Sequence, residues 1–304
     1  TDDDLDALAA DGALGEVINE LRASQTGADA DLARDALVLL AGCAQKRIVL
    51  KSPPHYDFSA PEEFKLDLKL REISGLAWDP KGNHFLAIQD ESGKLFMLDK
   101  ETKDIDSVYV FGGKGDYEDV ANVNGTPYIL RSDGSLFKFT RDSLGQVSGE
   151  LAGTIDNGGK DDFETLYYDP NRKALIVLCK NCSIDEKKWV SAYAFYPDST
   201  GFDPKPIFQI DKEEVTKLAP QKTSHLQPSA AAIHPVLQKL FILSSASNQL
   251  VVADLDGHVE FVYVLAKRMF PQPEGLCFKQ NGDMYITNEG GTGKATMIKF
   301  TYRP

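Results

Sequence analysis

A short phrase that recurs five times constrains the fold of this chain more than any other feature. Each copy places a serine or a glutamate second and leads into an apolar strand. The five copies are Ile73–Leu76, Tyr117–Val120, Phe163–Leu166, Pro228–Ala231 and Pro273–Leu276. Their second positions are separated by 44, 46, 65 and 45 residues. A repeat of about 45 residues in strand-rich sequence is typical of a β-propeller.

Each copy continues with the same local pattern. A turn rich in proline, asparagine and glycine follows the first strand, as in Asp79–Gly82, and a second apolar strand such as Phe85–Ile88 comes next. Short apolar runs bounded by turn residues indicate buried strands. Predicted third strands are Lys94–Leu98, Ser135–Thr140, Trp189–Tyr196, Gln249–Asp254 and Thr296–Thr301. Predicted fourth strands are Ser107–Phe111, Gly149–Ile155, Pro206–Ile210 and Glu260–Leu265.

The fifth blade lacks a fourth strand after Thr301, and an earlier segment supplies one. Phe64–Leu70 alternates apolar and charged residues, as a half-exposed outer strand does. Its pairing beside Thr296–Thr301 would close the ring and remove two exposed sheet edges. We therefore predict an all-β fold, with a propeller of five four-stranded blades over residues 64–304. A sixth blade hidden in the longest interval is the alternative.

The longest interval between copies carries the extra sequence. Asp211–Leu218 has helix-forming composition and is followed by Pro220. Loops inserted in a rigid scaffold often carry function. The insert at 183–226 is therefore either a surface for a protein partner or a solvated decoration.

The N-terminal part differs from the repeats in composition. Residues 1–42 contain ten acidic and two basic side chains and so contribute much of the net charge of −13. We predict a small acidic helical segment or leader at 1–46 and a linker at 47–63. The remaining chain is modestly acidic, which argues against nucleic acid as a partner because phosphate contacts need clustered Lys and Arg. No apolar run approaches the roughly 18 residues that a membrane span requires.

Cys43 has three open interpretations. Leu39–Ala44 resembles a bacterial lipobox, in which the cysteine receives a lipid anchor. Against this, the preceding apolar run is short and its flank is acidic, whereas a signal peptide begins with a basic region. In the second interpretation, Cys43 is an ordinary apolar residue on a helix. In the third, residues 1–35 are not native to the propeller.

A second cysteine feature lies where the third blade's second strand ends. Cys179 and Cys182 form a C-x-x-C pair with no second pair and no nearby histidine. That pattern is weak evidence for zinc. A disulfide in an oxidising compartment, two free thiols and a metal site all stay open.

Acidic residues recur at the start of the innermost strands. Because these starts crowd one mouth of a propeller, Glu118, Glu164 and Glu274 are expected to converge. Converging carboxylates repel one another, and a hard cation such as Ca²⁺ with oxygen ligands neutralises them. We predict metal ligands at Glu118, Glu164, Glu274 and Asn288. Predicted ligand-binding residues are Glu72, Asp90, Asp116, Asp133, Lys180 and Gln272. A cationic or polyhydroxylated ligand and a purely structural polar plug are the alternatives.

Several of these strings resemble one known family. Glu72–Trp78, Asp116–Ala121, Leu130–Gly134 and Pro273–Leu276 are similar to the SdiA-regulated family of bacterial propellers, over about residues 64–301. The resemblance implies a β-propeller of the bacterial cell envelope, in the periplasm or as a membrane-anchored lipoprotein, with no established activity. Glu274-Gly275 and Asn288 show a weaker likeness to gluconolactonase and arylesterase propellers, which implies a catalytic Ca²⁺.

Three functions follow from these observations. The leading hypothesis is a propeller that binds Ca²⁺, and a small molecule with it, at an acidic central mouth. The second is a calcium-dependent lactonase or esterase, in which a metal-activated water attacks the carbonyl. The third is a protein-interaction scaffold.

Overall fold

The computed structural model describes residues 52–155, 161–198, 201–220 and 225–304. The predicted helices of residues 1–46 and the lipobox cysteine, Cys43, lie outside the described residues. Residues 50–304 form one compact unit. Among the described residues, no helix combines the length and apolar composition needed to cross a bilayer.

Within the described ranges, twenty strands form five four-stranded antiparallel sheets, which are the five blades of a propeller. Blade 1 contains β2 (Ile73–Asp79), β3 (His84–Gln89), β4 (Ser92–Asp99) and β5 (Ile105–Lys114). Blade 2 contains β6 (Tyr117–Val123), β7 (Thr126–Arg131), β8 (Ser135–Arg141) and β9 (Val147–Thr154). Blade 3 contains β10 (Asp162–Asp169), β11 (Ala174–Asn181), β12 (Trp189–Phe195) and β13 (Phe208–Asp211). Blade 4 contains β14 (Ala230–Ile233), β15 (Leu240–Ser244), β16 (Gln249–Ala253) and β17 (Val259–Val264). Blade 5 contains β18 (Pro273–Phe278), β19 (Met284–Asn288), β20 (Thr296–Phe300) and β1 (Glu62–Lys65).

The ring closes as the sequence predicts. β1 pairs with β20 in antiparallel register, with Phe64 opposite Met297. The strand is shorter than the predicted segment and begins two residues earlier, at Glu62. Beyond it the chain turns into a 3₁₀ helix at Leu68–Leu70, because the Asp67 carboxylate accepts a hydrogen bond from Lys69 N. The alternation that predicted a strand to residue 70 therefore continues as a helical turn.

The core lies between blades, one apolar cluster at each of the five junctions. In β3, for example, Leu86 and Ile88 pack towards blade 2, whereas Phe85 and Ala87 pack towards blade 5. Because both faces of such a strand are buried, its residues are apolar at consecutive positions and do not alternate with polar ones. The remaining junctions are blade 2 with 3, blade 3 with 4, and blade 4 with 5.

The linker and the insert both contribute to this core. Tyr56 and Phe58 are each 7% exposed and join the cluster between blades 4 and 5. The predicted helix of the insert is present as α1 (Lys212–Leu218), with the Asp211 carboxylate accepting from Glu213 N at 2.8 Å. Val215 is fully buried between blades 3 and 4, so it docks this helix on the propeller.

Candidate binding site at the acidic mouth

The second residue of the recurring phrase interrupts regular strand pairing. The register of the first two strands skips Ser74, Glu118, Glu164 and Glu274 in blades 1, 2, 3 and 5. In blade 4, β14 starts one residue after Ser229. A β-bulge leaves its extra residue unpaired and re-aims the side chain. The repeat in the sequence is therefore a repeated bulge at one end of the innermost strands.

Serine and glutamate use this position differently. Ser74 Oγ donates to Tyr117 O at 2.7 Å, and Ser229 Oγ donates to Pro273 O at 2.8 Å. Each acceptor precedes the bulge glutamate of the next blade. The two serines thus tie neighbouring blades together, and the glutamates carry the charge of the mouth.

Glu118 is the most strongly perturbed acid of the mouth. Burial, followed by the charge of Asp116, a hydrogen bond with Asp116 and the charge of Asp162, raises the pKa of Glu118 to about 9, against an opposing effect of Lys180. Burial also raises the pKa of Asp162, with a smaller contribution from Asp116. Glu118 therefore holds a proton at neutral pH.

Glu274 and Glu289 titrate near neutrality. Burial raises the pKa of Glu274 to about 7, although hydrogen bonds from Ser245 and Ser229 and the charge of Lys180 favour its ionised form. Burial, together with the charges of Glu274 and Glu72, raises the pKa of Glu289 to about 7. The Gln272 amide donates to Glu289.

Asp90 completes the acidic group. Burial raises its pKa, and the charges of Glu72, Glu91 and Asp116 add to the effect. Its buried Oδ1 has no hydrogen-bond partner among the residues that the structure describes. Glu72 itself pairs with Arg71, through Nε and Oε1 at 2.8 Å.

Lys180 is the counter-charge of this mouth. It forms an ion pair with Glu164, and its charge lowers the pKa of Glu118, Asp162 and Glu274. The register of β10 and β11 skips both Glu164 and Lys180, which places the ion pair at a bulge on both strands. Eight acids are coupled through their charges, namely Glu72, Asp90, Glu91, Asp116, Glu118, Asp162, Glu274 and Glu289. Against them stand Lys180, which also pairs with Glu164, and Arg71, which pairs with Glu72.

Two predicted site residues have other contacts. Asp133 forms a local ion pair with Arg131, Oδ2 to Nη2 at 2.6 Å, and accepts from Ser135 N at 3.0 Å. Asn288 is fully buried, and its amide donates to Met269 O at 3.3 Å and Thr296 Oγ1 at 3.2 Å.

The mouth carboxylates are not gathered into a compact ligand set. Among the described ranges, a group of three His, Cys, Asp or Glu ligand atoms within 4.8 Å of one another occurs at Cys179, Cys182 and Asp185 and not at the mouth. A cation at the mouth would therefore be held through waters or after the glutamates move inwards.

Asp119, next to the mouth residue Glu118, is a buried acid that the sequence analysis missed. It is 3% exposed, and its two carboxylate oxygens accept from Val120 N and, across the blade junction, from Leu166 N, both at 2.8 Å. Burial raises its pKa well above the usual range. The sequence offered one signal for this residue: it follows the bulge glutamate, at a position that holds glycine in two other copies of the phrase.

The fold and the acidic mouth define a class: five-bladed propellers with a polar central opening. The SdiA-regulated family model matches residues 54–291, and the chain belongs to this family. No curated protein sequence matches the chain.

One solved structure supports the fold, and two others show a weaker likeness. Glutaminyl cyclase from Myxococcus xanthus is 13% identical with a TM-score of 0.55, and the match covers 80% of this chain and 96% of that chain. Regucalcin from Agrobacterium tumefaciens, described as a calcium-binding protein, is 12% identical with a TM-score of 0.49, covering 77% and 92%. A Bacteroides thetaiotaomicron protein of unknown function is 13% identical with a TM-score of 0.49; the match covers 78% of this chain and 56% of that one. At these identities the likeness extends to the fold alone.

Proposed function

We propose that this propeller is a binding protein that takes a cation, Ca²⁺ in the first instance, at its acidic mouth. The observation that carries the proposal is the imbalance of charge: eight coupled acids, opposed by Lys180 and, at Glu72, by Arg71. Such a group lowers its free energy either by keeping protons, as the raised pKa of Glu118 indicates, or by exchanging them for a cation. A small polyhydroxylated molecule could complete the cation's ligand shell.

Calcium titration by calorimetry tests the proposal. Chelator-stripped full-length protein is expected to bind Ca²⁺ with a Kd in about the micromolar range. Glu118→Gln and Glu274→Gln should each weaken binding by at least tenfold (about 1.4 kcal/mol) because each removes a carboxyl group that can ionise to bind the cation. Glu260→Gln is the matched control, since Glu260 lies on the outer strand β17 and pairs with Lys239. No heat and no thermal stabilisation at millimolar Ca²⁺ would refute the proposal.

Calcium binding should also be linked to proton release. Glu118 must lose its proton to bind a cation, so affinity is expected to rise with pH up to about 9. One displaced proton changes affinity by up to about tenfold per pH unit. The measurement is the binding enthalpy in buffers of different ionisation enthalpy, which reports the protons released. Binding without proton release would place the cation away from Glu118.

A calcium-dependent lactonase or esterase is the second candidate. The observation that favours it is the pKa of Glu274, about 7, which suits a general base at neutral pH. Hydrolysis of a lactone and ester panel that requires Ca²⁺ and is lost in Glu274→Gln supports it. Calcium binding without hydrolysis would support the binding function and contradict the hydrolase.

We further propose a location in the bacterial cell envelope. The Cys179–Cys182 disulfide supports it, because disulfides persist in oxidising compartments. A lipid anchor at Cys43 and a protein partner at the 183–226 insert belong to the same proposal. Mass spectrometry of protein from native membranes and from periplasm would detect the lipid, and its absence from both would exclude the anchor.

A further inference from the structure

The turn after β11 brings together two sulfur atoms and a carboxylate. Cys179 and Cys182 form a disulfide with their Cα atoms 5.9 Å apart. A short 3₁₀ helix at Ser183–Asp185 follows and brings Asp185 back towards the disulfide. An Asp185 oxygen and both sulfurs lie within 4.8 Å of one another. All three residues are buried, with exposures of 0% for Cys179, 6% for Cys182 and 2% for Asp185.

The Asp185 carboxylate is held in place by its own contacts. Ser191 donates to it through both its hydroxyl and its backbone N, the latter at 3.2 Å. Ser191 Oγ in turn accepts from Gln209 Nε2 at 2.9 Å. Burying a carboxylate costs free energy, which these hydrogen bonds and the charge of Lys212 offset in part. Hydrogen-bonded carboxylates that are oriented in this way are usual at metal sites.

We propose that Cys179, Cys182 and Asp185 form a site for a soft divalent cation of the zinc type when the cysteines are reduced. Two thiolates and one carboxylate are a zinc ligand set, and water would fill the fourth tetrahedral position. The spacing C-x-x-C-x-x-D places all three ligands on one turn of chain. No mouth residue is a ligand, so this proposal is independent of calcium binding.

The disulfide and the metal exclude each other. Reduction by a dithiol breaks the S–S bond, transfers two electrons and two protons to give two thiols, and converts the reductant to its own disulfide. Metal binding then displaces the two thiol protons. Oxidation of the cysteines would release the metal, and the site is therefore gated by redox state.

Cobalt is a suitable probe because its thiolate complexes absorb in the near ultraviolet. Full-length protein reduced with a phosphine and desalted without oxygen is expected to bind one Co²⁺ per chain with a thiolate-to-cobalt charge-transfer band. Zn²⁺ should displace Co²⁺, following the usual order of divalent affinities. The oxidised protein should give no band.

Matched variants locate the site. Asp185→Asn keeps both cysteines and should weaken Co²⁺ binding at least about tenfold, since even outer contacts of a metal site cost about 10–100-fold. Cys277→Ser removes the buried free thiol of blade 5 and should leave the band unchanged. Glu118→Gln and Glu274→Gln should also leave it unchanged, which separates this site from the mouth.

Alkylation gives a readout that needs no variant. Zn²⁺ should protect Cys179 and Cys182 of the reduced protein from iodoacetamide. Equal alkylation with and without Zn²⁺, under conditions in which both metal-free thiols react, would overturn the proposal. A reduced protein with four titratable thiols and no cobalt band would also overturn it. A band that persists in Asp185→Asn at full affinity would remove Asp185 from the ligand set.

Discussion

At the scale of single residues, the bulge position decides what each blade contributes. A serine hydroxyl there donates to the next blade, as Ser74 does to Tyr117 O. A glutamate takes the same place in blades 2, 3 and 5, where Glu164 pairs with Lys180 and Glu118 and Glu274 belong to the coupled acids. One position in the repeat therefore either ties blades together or forms the mouth.

Glu118→Gln should stabilise the cation-free protein at alkaline pH and have little effect in acid. The pKa of Glu118 is about 9 in the folded protein against 4.5 ordinarily, so between these values the unfolded chain binds fewer protons and stability falls as pH rises. Glutamine removes this loss, and we expect a gain of about 1–3 kcal/mol in the free energy of unfolding at pH 8. Urea unfolding in EDTA at pH 5 and pH 8 measures it.

Glu62→Gln is the control for this experiment, because Glu62 lies on the outer strand β1 and pairs with Lys299 at 2.7 Å. It should give no gain at either pH. An equal gain for Glu118→Gln at both pH values would indicate better side-chain packing rather than the removal of a titrating charge.

The residues of the two candidate sites differ in how far sequence predicts them. Glu118, Glu164 and Glu274 recur in register and are visible in the repeat. Asp185 is three residues from Cys182 but faces it only because a 3₁₀ helix intervenes. Such a contact depends on a local turn that composition does not specify.

At the scale of elements, the segment around β1 shows how an alternating pattern can be misread. Leu66 and Leu70 are 1% and 0% exposed, whereas Leu68 is 62% exposed. A strand over the whole segment would place all three leucines on one face. The 3₁₀ helix instead turns Leu68 to solvent while Leu66 N still donates to Ala295 O at 2.9 Å.

Leu66→Ala should therefore destabilise the protein far more than Leu68→Ala. Leu66 packs in the junction between blades 5 and 1, and removing a buried leucine costs about 2–5 kcal/mol. Leu68→Ala, the same change two residues on, should cost less than about 0.5 kcal/mol. Denaturant midpoints of the two variants decide the matter, and equal losses would mean that the segment is a strand with Leu68 buried.

At the scale of the whole molecule, the ring depends on how closely inner strands approach. A Cβ on Gly75 would lie 2.8 Å from Asp119 Cα and Val120 N, which are backbone atoms of the next blade. Gly75→Ala should therefore force blades 1 and 2 apart and cost about 1–3 kcal/mol, as overpacking does. Thermal unfolding measures the loss.

Gly113→Ala is the matched control, because no atom lies within 4 Å of the added Cβ on the outer strand β5. It should be neutral or slightly stabilising, since alanine restricts the unfolded chain. A neutral Gly75→Ala would mean that the ring tolerates wider spacing than its inner strands indicate.

The sequence by itself determined the five blades, their strand order, the closure at β1 and the recurrence of glutamate, because strand periodicity and turn residues are local and repeat with the chain. Only the tertiary structure decided that the repeated residue is a bulge, that Asp119 bonds across a blade junction and that the buried Asn288 amide donates to Met269 O and Thr296 Oγ1. It also decided that the mouth carboxylates stand too far apart for a compact ligand set. These facts depend on distances between residues of different blades. The repeat in the sequence predicts that the blades form a ring, but it does not specify those distances.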